Sequence, residues 1–552
     1  MMRRHTFLAA GLAGISTAVL APTLAWAAPP QRPIAVVPLD DRPVNVYCAA
    51  ITAAVAGRQV VFPPRDALGR FFQPGDGAAV ARWLAAADTR EFVISVSMLA
   101  YGGLIASRTA EPTLDAARAN VEAIRALRRA KPDATILVHD MIQRLALTSK
   151  DPELSEYITL IVQWTKLYDQ VENLGQEELR AQLDEVRAKI PDAMLDDYLA
   201  ARGRNHEINT LMVDWVADGT ITHLVLSEDD TAPVGLGRAE RVELERRVAE
   251  RGIGDRVEIF PGADEVDALL VARLIPGEAA PSFRLDYSGV PGAQWTAELE
   301  GIPFEDNIRR HVATVGGTVG DGEIVLAVNT PSASPERRAA DVDAFTARIA
   351  THLAAGTPVI VVDPVFVDRA DHDLVARLER DVELPRLLSY SGWNTGGNAL
   401  GLALSHGVAR WALLGASGSG LACRTDLGEP GRAHAEYLLY RFVKDDPWKN
   451  VIQKDAYAEA RARGWNPLSL TAEQKVFFDG WVRERLVPVT RQYFTDHFAG
   501  HDLVLGRRGS TTVTARLDDL GEVVVELPWD RLFEVTLEPQ VTLSAAAVSP
   551  SG

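Results

Sequence analysis

The 552 residues contain only two cysteines, Cys48 and Cys423. So few exclude a disulfide scaffold and any multi-cysteine zinc or iron–sulfur site, leaving one bridge or two free thiols. Positive charge is also short, with 57 Lys and Arg against 75 Asp and Glu for a formal net charge of −18. No Lys/Arg cluster offsets that deficit, which argues against nucleic acid or an anionic membrane as partner. Beyond the first residues no apolar run is long enough to span a bilayer. There is no phosphate loop and no GxSxG elbow. The string GASGSG at 415–420 lacks the strand context of a dinucleotide fingerprint. The chain is therefore expected to use no cofactor.

The N-terminus has the features of an export signal. Arg3 and Arg4 precede a small-residue apolar stretch at 7–24, and Ala25-Trp26-Ala27 fits an A-x-A cleavage site. Residues 1–27 thus read as a signal peptide, predicting a secreted or cell-envelope protein. The paired arginines resemble those of a twin-arginine signal but are spaced one residue looser than usual, so export is expected with that route as one option. No cysteine lies near the cleavage site, so a lipoprotein is not expected.

From about residue 33, short apolar runs alternate with amphipathic stretches. Strands are expected at 34–37, 59–62, 92–97, 135–138, 223–226, 257–260, 324–328, 358–362 and 387–390. Leu114–Ala130 and 238–251 carry apolar residues at helical spacing. This alternation predicts an α/β protein with a parallel sheet and crossover helices. A (β/α)8-type barrel is the preferred form, because polar clusters follow nearly every strand at its C-terminal end. Two open α/β sheets are the alternative. The α/β domain is expected over 30–446, with a helical insertion at 148–219 and a C-terminal helical and β-rich region at 447–552.

The polar clusters define the candidate chemistry. PLDDRPVN, at 38–45, ends the first strand and brings Asp40, Asp41 and Arg42 to a turn. SMLAYGGLIASR, at 97–108, adds Tyr101 beside two glycines. The fourth strand ends in His139-Asp140, a general base, a metal ligand or a structural pair. Arg202, Arg204, Asn205 and His206 form a polar string within the insertion. The fifth strand runs into Glu228, Asp229 and Asp230. Closely packed carboxylates raise one another's pKa, which leaves one protonated and one ionised near neutrality, as an acid/base pair requires. Arg42 is expected to supply counter-charge. PGADE, at 261–265, offers Asp264 and Glu265, for which capping of the next helix is the competing reading. The last strand ends in SYSGWNTGGNALG, at 389–401, where Trp393 can stack on a sugar ring while Asn394 and Asn398 bond its hydroxyls.

Several of these blocks, with EDDTAPVGLGRAE and the late LPWDRLFEV, resemble the signature blocks of a bacterial domain-of-unknown-function family across nearly the whole chain. The late block implies that Trp529, Asp530, Arg531 and Glu534 belong to the functional unit. Adjacent carboxylates at a strand end, with a Trp/Asn loop later, are also similar to barrel hexosaminidases that use the substrate's own acetamido group. That similarity implies that Asp229 orients the acetamido group and Asp230 protonates the leaving oxygen.

The expectation is a secreted glycoside hydrolase acting on a carbohydrate, with glycans containing N-acetylated amino sugars among its candidate substrates. Asp229 and Asp230 would be catalytic, with Asp40, Asp41 and Glu265 in reserve. Arg42, Tyr101, His139, Asp140, Trp393, Asn394 and Asn398 would bind the sugar, and no metal is assigned. One alternative is a metal-dependent deacetylase or amidase, using Asp40, Asp41, His139, Asp140 and Asp229 or Asp230. The other is a non-catalytic glycan-binding protein.

Overall fold

A computed structural model describes residues 32–149, 154–277, 279–415, 427–508, 511–545 and 547–550. The expected signal peptide, most of the GASGSG string and Cys423 lie outside the described residues. The α/β class is as expected. The strands are β1 (Ile34–Val37), β2 (Val60–Val61), β3 (Glu91–Ser95), β4 (Thr135–Ile142), β5 (His223–Glu228), β6 (Val257–Pro261), β7 (Ser282–Tyr287), β8 (Thr318–Val319), β9 (Ile324–Val328), β10 (Val359–Val362) and β11 (Ser389–Ser391). A C-terminal set follows: β12 (Asp502–Arg508), β13 (Thr511–Glu526), β14 (Thr536–Leu543) and β15 (Ala547–Pro550).

β1 to β6 form one parallel sheet in the order β2-β1-β3-β4-β5-β6, and β7 to β11 a second in the order β11-β10-β9-β7-β8. The parallel strands are thus shared between two sheets, and no single eight-stranded ring closes among the described residues. All nine expected strands are present. The two additional ones, β7 and β8, belong to the second sheet.

The apolar strands bury both faces, which is why they read as continuous runs. In the first sheet Ile34, Val36, Val93, Leu137 and Val225 point one way, into a core shared with Ile324, Leu326, Val328, Ile360 and Val362 of the second. That shared core contains residues from the helices Pro43–Val55, Val266–Arg273 and Gly396–Gly415, which lie between the sheets. The last of these is buried along most of its length, so it shows no strong amphipathic stripe. The alternate residues Ala35, Val37, Phe92, Ile94, Val138 and Leu226 face an outer layer of helices. Val325, Ala327, Val359 and Val361 face a third core, built with the C-terminal helix Ala472–His497 and the antiparallel strands β12 to β15. The order from outside to outside is therefore helix, sheet, helix, sheet, then helices and the C-terminal strands. The period-2 alternation of faces dictates this order.

The insertion carries the helices Ser155–Tyr168, Arg180–Arg187 and Asp192–Ala217, with a small apolar cluster of their own. Its polar string is tied down. Asn205 Nδ2 donates to the Ser107 carbonyl at 2.9 Å and to Gln143 Oε1 at 2.8 Å, and Arg202 pairs with Glu240. Cys48 is buried, its thiol pKa raised by that burial. No helix among the described residues is long and apolar enough to cross a membrane.

Candidate functional site

In open parallel sheets, ligands bind beyond the C-terminal strand ends, where the strand order reverses. The first sheet reverses between β1 and β3. At that end lies a cavity of about 340 Å³. Arg42 follows β1, Arg108 follows β3 and Arg144 follows β4. Glu228, Asp229 and Asp230 close β5, Asp264 follows β6, Asp368 follows β10, and Asn394 and Asn398 follow β11. Arg531 and Phe533 from the C-terminal region complete the wall.

Strained backbone concentrates at this cavity. Five non-glycine residues among those described have positive φ, and four of them line it: Asp230 (32°), Leu299 (64°), Asp368 (67°) and Asn394 (65°). Each such residue costs on the order of 1–3 kcal/mol, and such strain clusters at functional sites. Asp and Asn tolerate the left-handed region best, whereas Leu299 has no side-chain compensation.

The three acids that end β5 sit in different environments. Glu228 is the last strand residue, 3.2 Å from Arg241 Nε; burial pushes its carboxyl up to about 7 against that arginine's pull. Asp229 is also buried, but Arg108 and Arg144 outweigh burial and hold it below the ordinary range. Arg108 Nη2 donates to Asp229 Oδ2, while its Nη1 donates to Thr148 Oγ1 at 2.8 Å. Asp230 pairs with Arg144, yet burial and the neighbouring Asp229 charge raise its carboxyl. Two adjacent carboxylates are thus pushed in opposite directions.

Arg42 does not serve as their principal counter-charge. Its guanidinium is 3 % exposed and surrounded by other acids. It lies 2.8 Å from Asp40, 2.6 Å from Asp264 and 3.3 Å from Glu534, with its carbon 4.9 Å from the Trp529 ring centre. Asp264 is pushed up to about 6 by burial, with Arg42 opposing. Asn394 Nδ2 lies 3.4 Å from Asp264 Oδ2, and Asn398 Oδ1 accepts the Asp264 N–H at 2.9 Å.

Of the residues singled out in the sequence, Glu228, Asp229, Asp230, Arg42, Asp264, Asn394, Asn398 and Arg531 come together around the cavity. Asp40 and Asp41 lie behind it: Asp40 braces Arg42 and accepts from Asn45 at 2.6 Å, and Asp41 accepts from Trp529 Nε1 at 2.6 Å. Glu265 is also absent from the wall. Its Oε2 accepts the Ala263 N–H at 2.8 Å, and its Oε1 lies 3.3 Å from His311 Nε2. Tyr101 lines a separate cavity with Phe72 and Pro112, beneath the Arg204 guanidinium 4.2 Å from its ring centre. His139 is fully buried, with Nε2 2.9 Å from Asp267 Oδ1, and Asp140 accepts from Asn209 at 2.8 Å. Trp393 is fully buried, with Lys444 Nζ 4.1 Å from its ring centre, and does not line the cavity.

Arg108, Arg144, Asp368 and Phe533 have no assigned role in the sequence reading, whereas Arg531, expected to belong to the functional unit, does line the cavity. Arg108 ends SMLAYGGLIASR and Phe533 lies in LPWDRLFEV, so membership of those blocks is the sequence signal that points to them. Among the described residues no three His, Cys, Asp or Glu side chains are grouped to hold a metal ion. The acids and His139 of the metal-site alternative instead have separate partners in Arg42, Trp529, Asp267, Asn209, Arg108 and Arg144.

The chain belongs to the family described as protein of unknown function (DUF4127), whose model matches residues 34–538. No curated protein and no solved structure matches it.

Proposed function

We propose that the protein is a glycoside hydrolase whose catalytic carboxylates are Asp229 and Asp230. The observation that carries this reading is the division between them: adjacent residues on one cavity wall, one pushed below the ordinary carboxylate range and the other above it. Pairs of titratable groups driven apart by their surroundings are how acid and base roles are assigned in one site. Asp230 then carries the proton. Its O–H is transferred to the glycosidic oxygen as the bond from that oxygen to the anomeric carbon breaks, and the leaving alcohol departs neutral. Asp229 stays ionised and meets the positive charge developing at the sugar. Where the sugar bears a 2-acetamido group, Asp229 accepts its N–H while the acetamido oxygen attacks the anomeric carbon; water then opens the ring so formed.

Asn394, Asn398 and Thr395 supply hydrogen bonds for hydroxyls, and Phe533, in place of the buried Trp393, supplies the apolar contact. An N-terminal export signal would take such an enzyme to extracellular or envelope glycans. The test is a panel of aryl glycosides, N-acetylhexosaminides included. Turnover of at least one sugar, with Asp230→Asn losing about 10²–10⁴-fold on an alkyl glycoside of that sugar, whose leaving group needs protonation, supports the reading. Silence of the wild-type protein across the panel and on polymeric glycans would overturn it.

A further inference from the structure

Buried guanidinium groups in this protein are consistently answered. Arg42, Arg58, Arg108, Arg202, Arg241 and Arg441 each have a carboxylate within ion-pair distance. Arg204 has none, but donates to the carbonyls of Ser107, Thr109 and Pro112 and to Asn205. Arg410 is the exception among the described residues. It is 2 % exposed, it donates from Nη2 to the Val504 carbonyl, and its buried Nη1 has no partner. A buried cation left in this condition is costly, and a fold retains one most readily where an anion completes it.

Arg410 lies on the buried helix Gly396–Gly415, one turn after His406 and so on the same face. His406 Nε2 is 2.9 Å from His434 Nδ1, and burial, with Arg410 close by, holds both rings well below the ordinary histidine range. Neutral rings leave Arg410 as the one charge of this group. Burial alone lowers its own pKa, to about 9, with no carboxylate opposing.

Arg410 and His434 line a cavity of about 590 Å³, remote in lining from the Asp229–Asp230 site and sharing no residue with it. Two further arginines, Arg386 and Arg507, stand exposed on its wall. Three acids are there too, all exposed: Glu323, which accepts from Trp411 Nε1 at 2.9 Å, Asp502, 3.7 Å from Arg516, and Glu383. None of them pairs with Arg410. The volume suits a small molecule rather than a lone ion.

We propose that this cavity is a second binding site, taking a small ligand through an oxyanionic group, a carboxylate or a phosphate, held on Arg410. Guanidinium recognises both groups by the same forked donor geometry. The reading does not depend on the function of the first cavity.

Calorimetry of the full chain with inorganic phosphate and, separately, acetate, at ionic strength held constant with chloride, tests it. The expected result is saturable binding of at least one probe, with one site per chain, weakened at least tenfold in Arg410→Met; which probe binds distinguishes phosphate from carboxylate. Should Arg410→Met fail to fold, the exposed variant Arg507→Glu is expected to weaken the same binding several-fold. No saturable binding of either probe overturns the proposal, and so does affinity unchanged in the variant.

Discussion

Trp529 Nε1 donates to Asp41 Oδ1 at 2.6 Å, joining the C-terminal region to the turn that follows the first strand. The same indole stacks on Phe71 at 5.2 Å and lies under Arg42. The C-terminal region is therefore built into the wall behind the candidate site, through contacts that close across almost the entire sequence.

Trp529→Phe keeps the ring contacts and removes that one hydrogen bond. Burial already raises Asp41, and the Trp529 hydrogen bond opposes the rise. Losing a bond to a buried, charged acceptor is expected to cost about 1.5–3 kcal/mol at pH 7. Chemical denaturation checks this; an unchanged midpoint would mean that the bond contributes nothing to stability.

Glu534 provides a test with a defined pH window. Although burial alone would raise its carboxyl, Arg531 and Arg42 bring it down to about 2, from an ordinary 4.5. A lowered folded value means a contribution fully present above the ordinary value and lost as pH falls through the folded one. Glu534→Gln is therefore expected to be about 3 kcal/mol less stable at pH 7. The gap should close between pH 4.5 and 2.

Glu300 behaves in the opposite sense. Burial pushes it up to about 8, despite hydrogen bonds from Asn307 Nδ2 at 2.9 Å and from the Gly397 N–H. Its contribution is fully present below the ordinary 4.5 and is lost as pH rises through about 8. Glu300→Gln cannot titrate, so unfolding curves should show it gaining on the wild type as pH rises from 5 to 9. A parallel pair of pH–stability curves would show that Glu300 titrates alike in both states.

Arg108→Met removes the closest partner of Asp229 and leaves a buried carboxylate less well paired. Breaking such a pair typically costs about 3–5 kcal/mol. Asp229 is held low, so the penalty should shrink as the pH falls through the carboxylate range and the group is protonated. Equal penalties at pH 7 and pH 4 would show that the loss is one of packing alone.

Much of this architecture is legible from the chain, for physical reasons. Runs such as IVLAV and VIVV announce strands buried on both faces, and all the expected strands form. SFRLDY does not read as a strand because Arg284 and Asp286 interrupt its apolar character, yet it forms β7, with Asp286 satisfied by Arg348 at 2.8 Å. The distribution over two sheets is set by which strands hydrogen-bond, and alternation alone does not encode that choice.

The candidate site was legible where its residues adjoin one another and obscure where they do not. Asp229 and Asp230 declare themselves as neighbours. Arg108 and Arg144, which divide them electrostatically, come from other strand ends, so only the folded chain reveals the pairing. Local pattern also misplaces single positions. Trp393 and Asn394 are adjacent, yet only Asn394 reaches the cavity, its backbone turned by a φ of 65°. Asp264 faces Arg42 from the wall while its neighbour Glu265 bonds His311 behind it.

The most direct measurement compares kcat/KM of wild type, Asp229→Asn and Asp230→Asn on two glycosides of one sugar, carrying a poor and an activated leaving group. Dinitrophenolate departs without protonation, whereas an alkyl alcohol needs an acid. Asp230→Asn is predicted to lose about 10²–10⁴-fold on the alkyl glycoside and far less on the dinitrophenyl one. Asp229→Asn is predicted to lose activity on both. Equal losses on both substrates in Asp230→Asn, or the leaving-group dependence appearing in Asp229→Asn instead, would contradict the assignment.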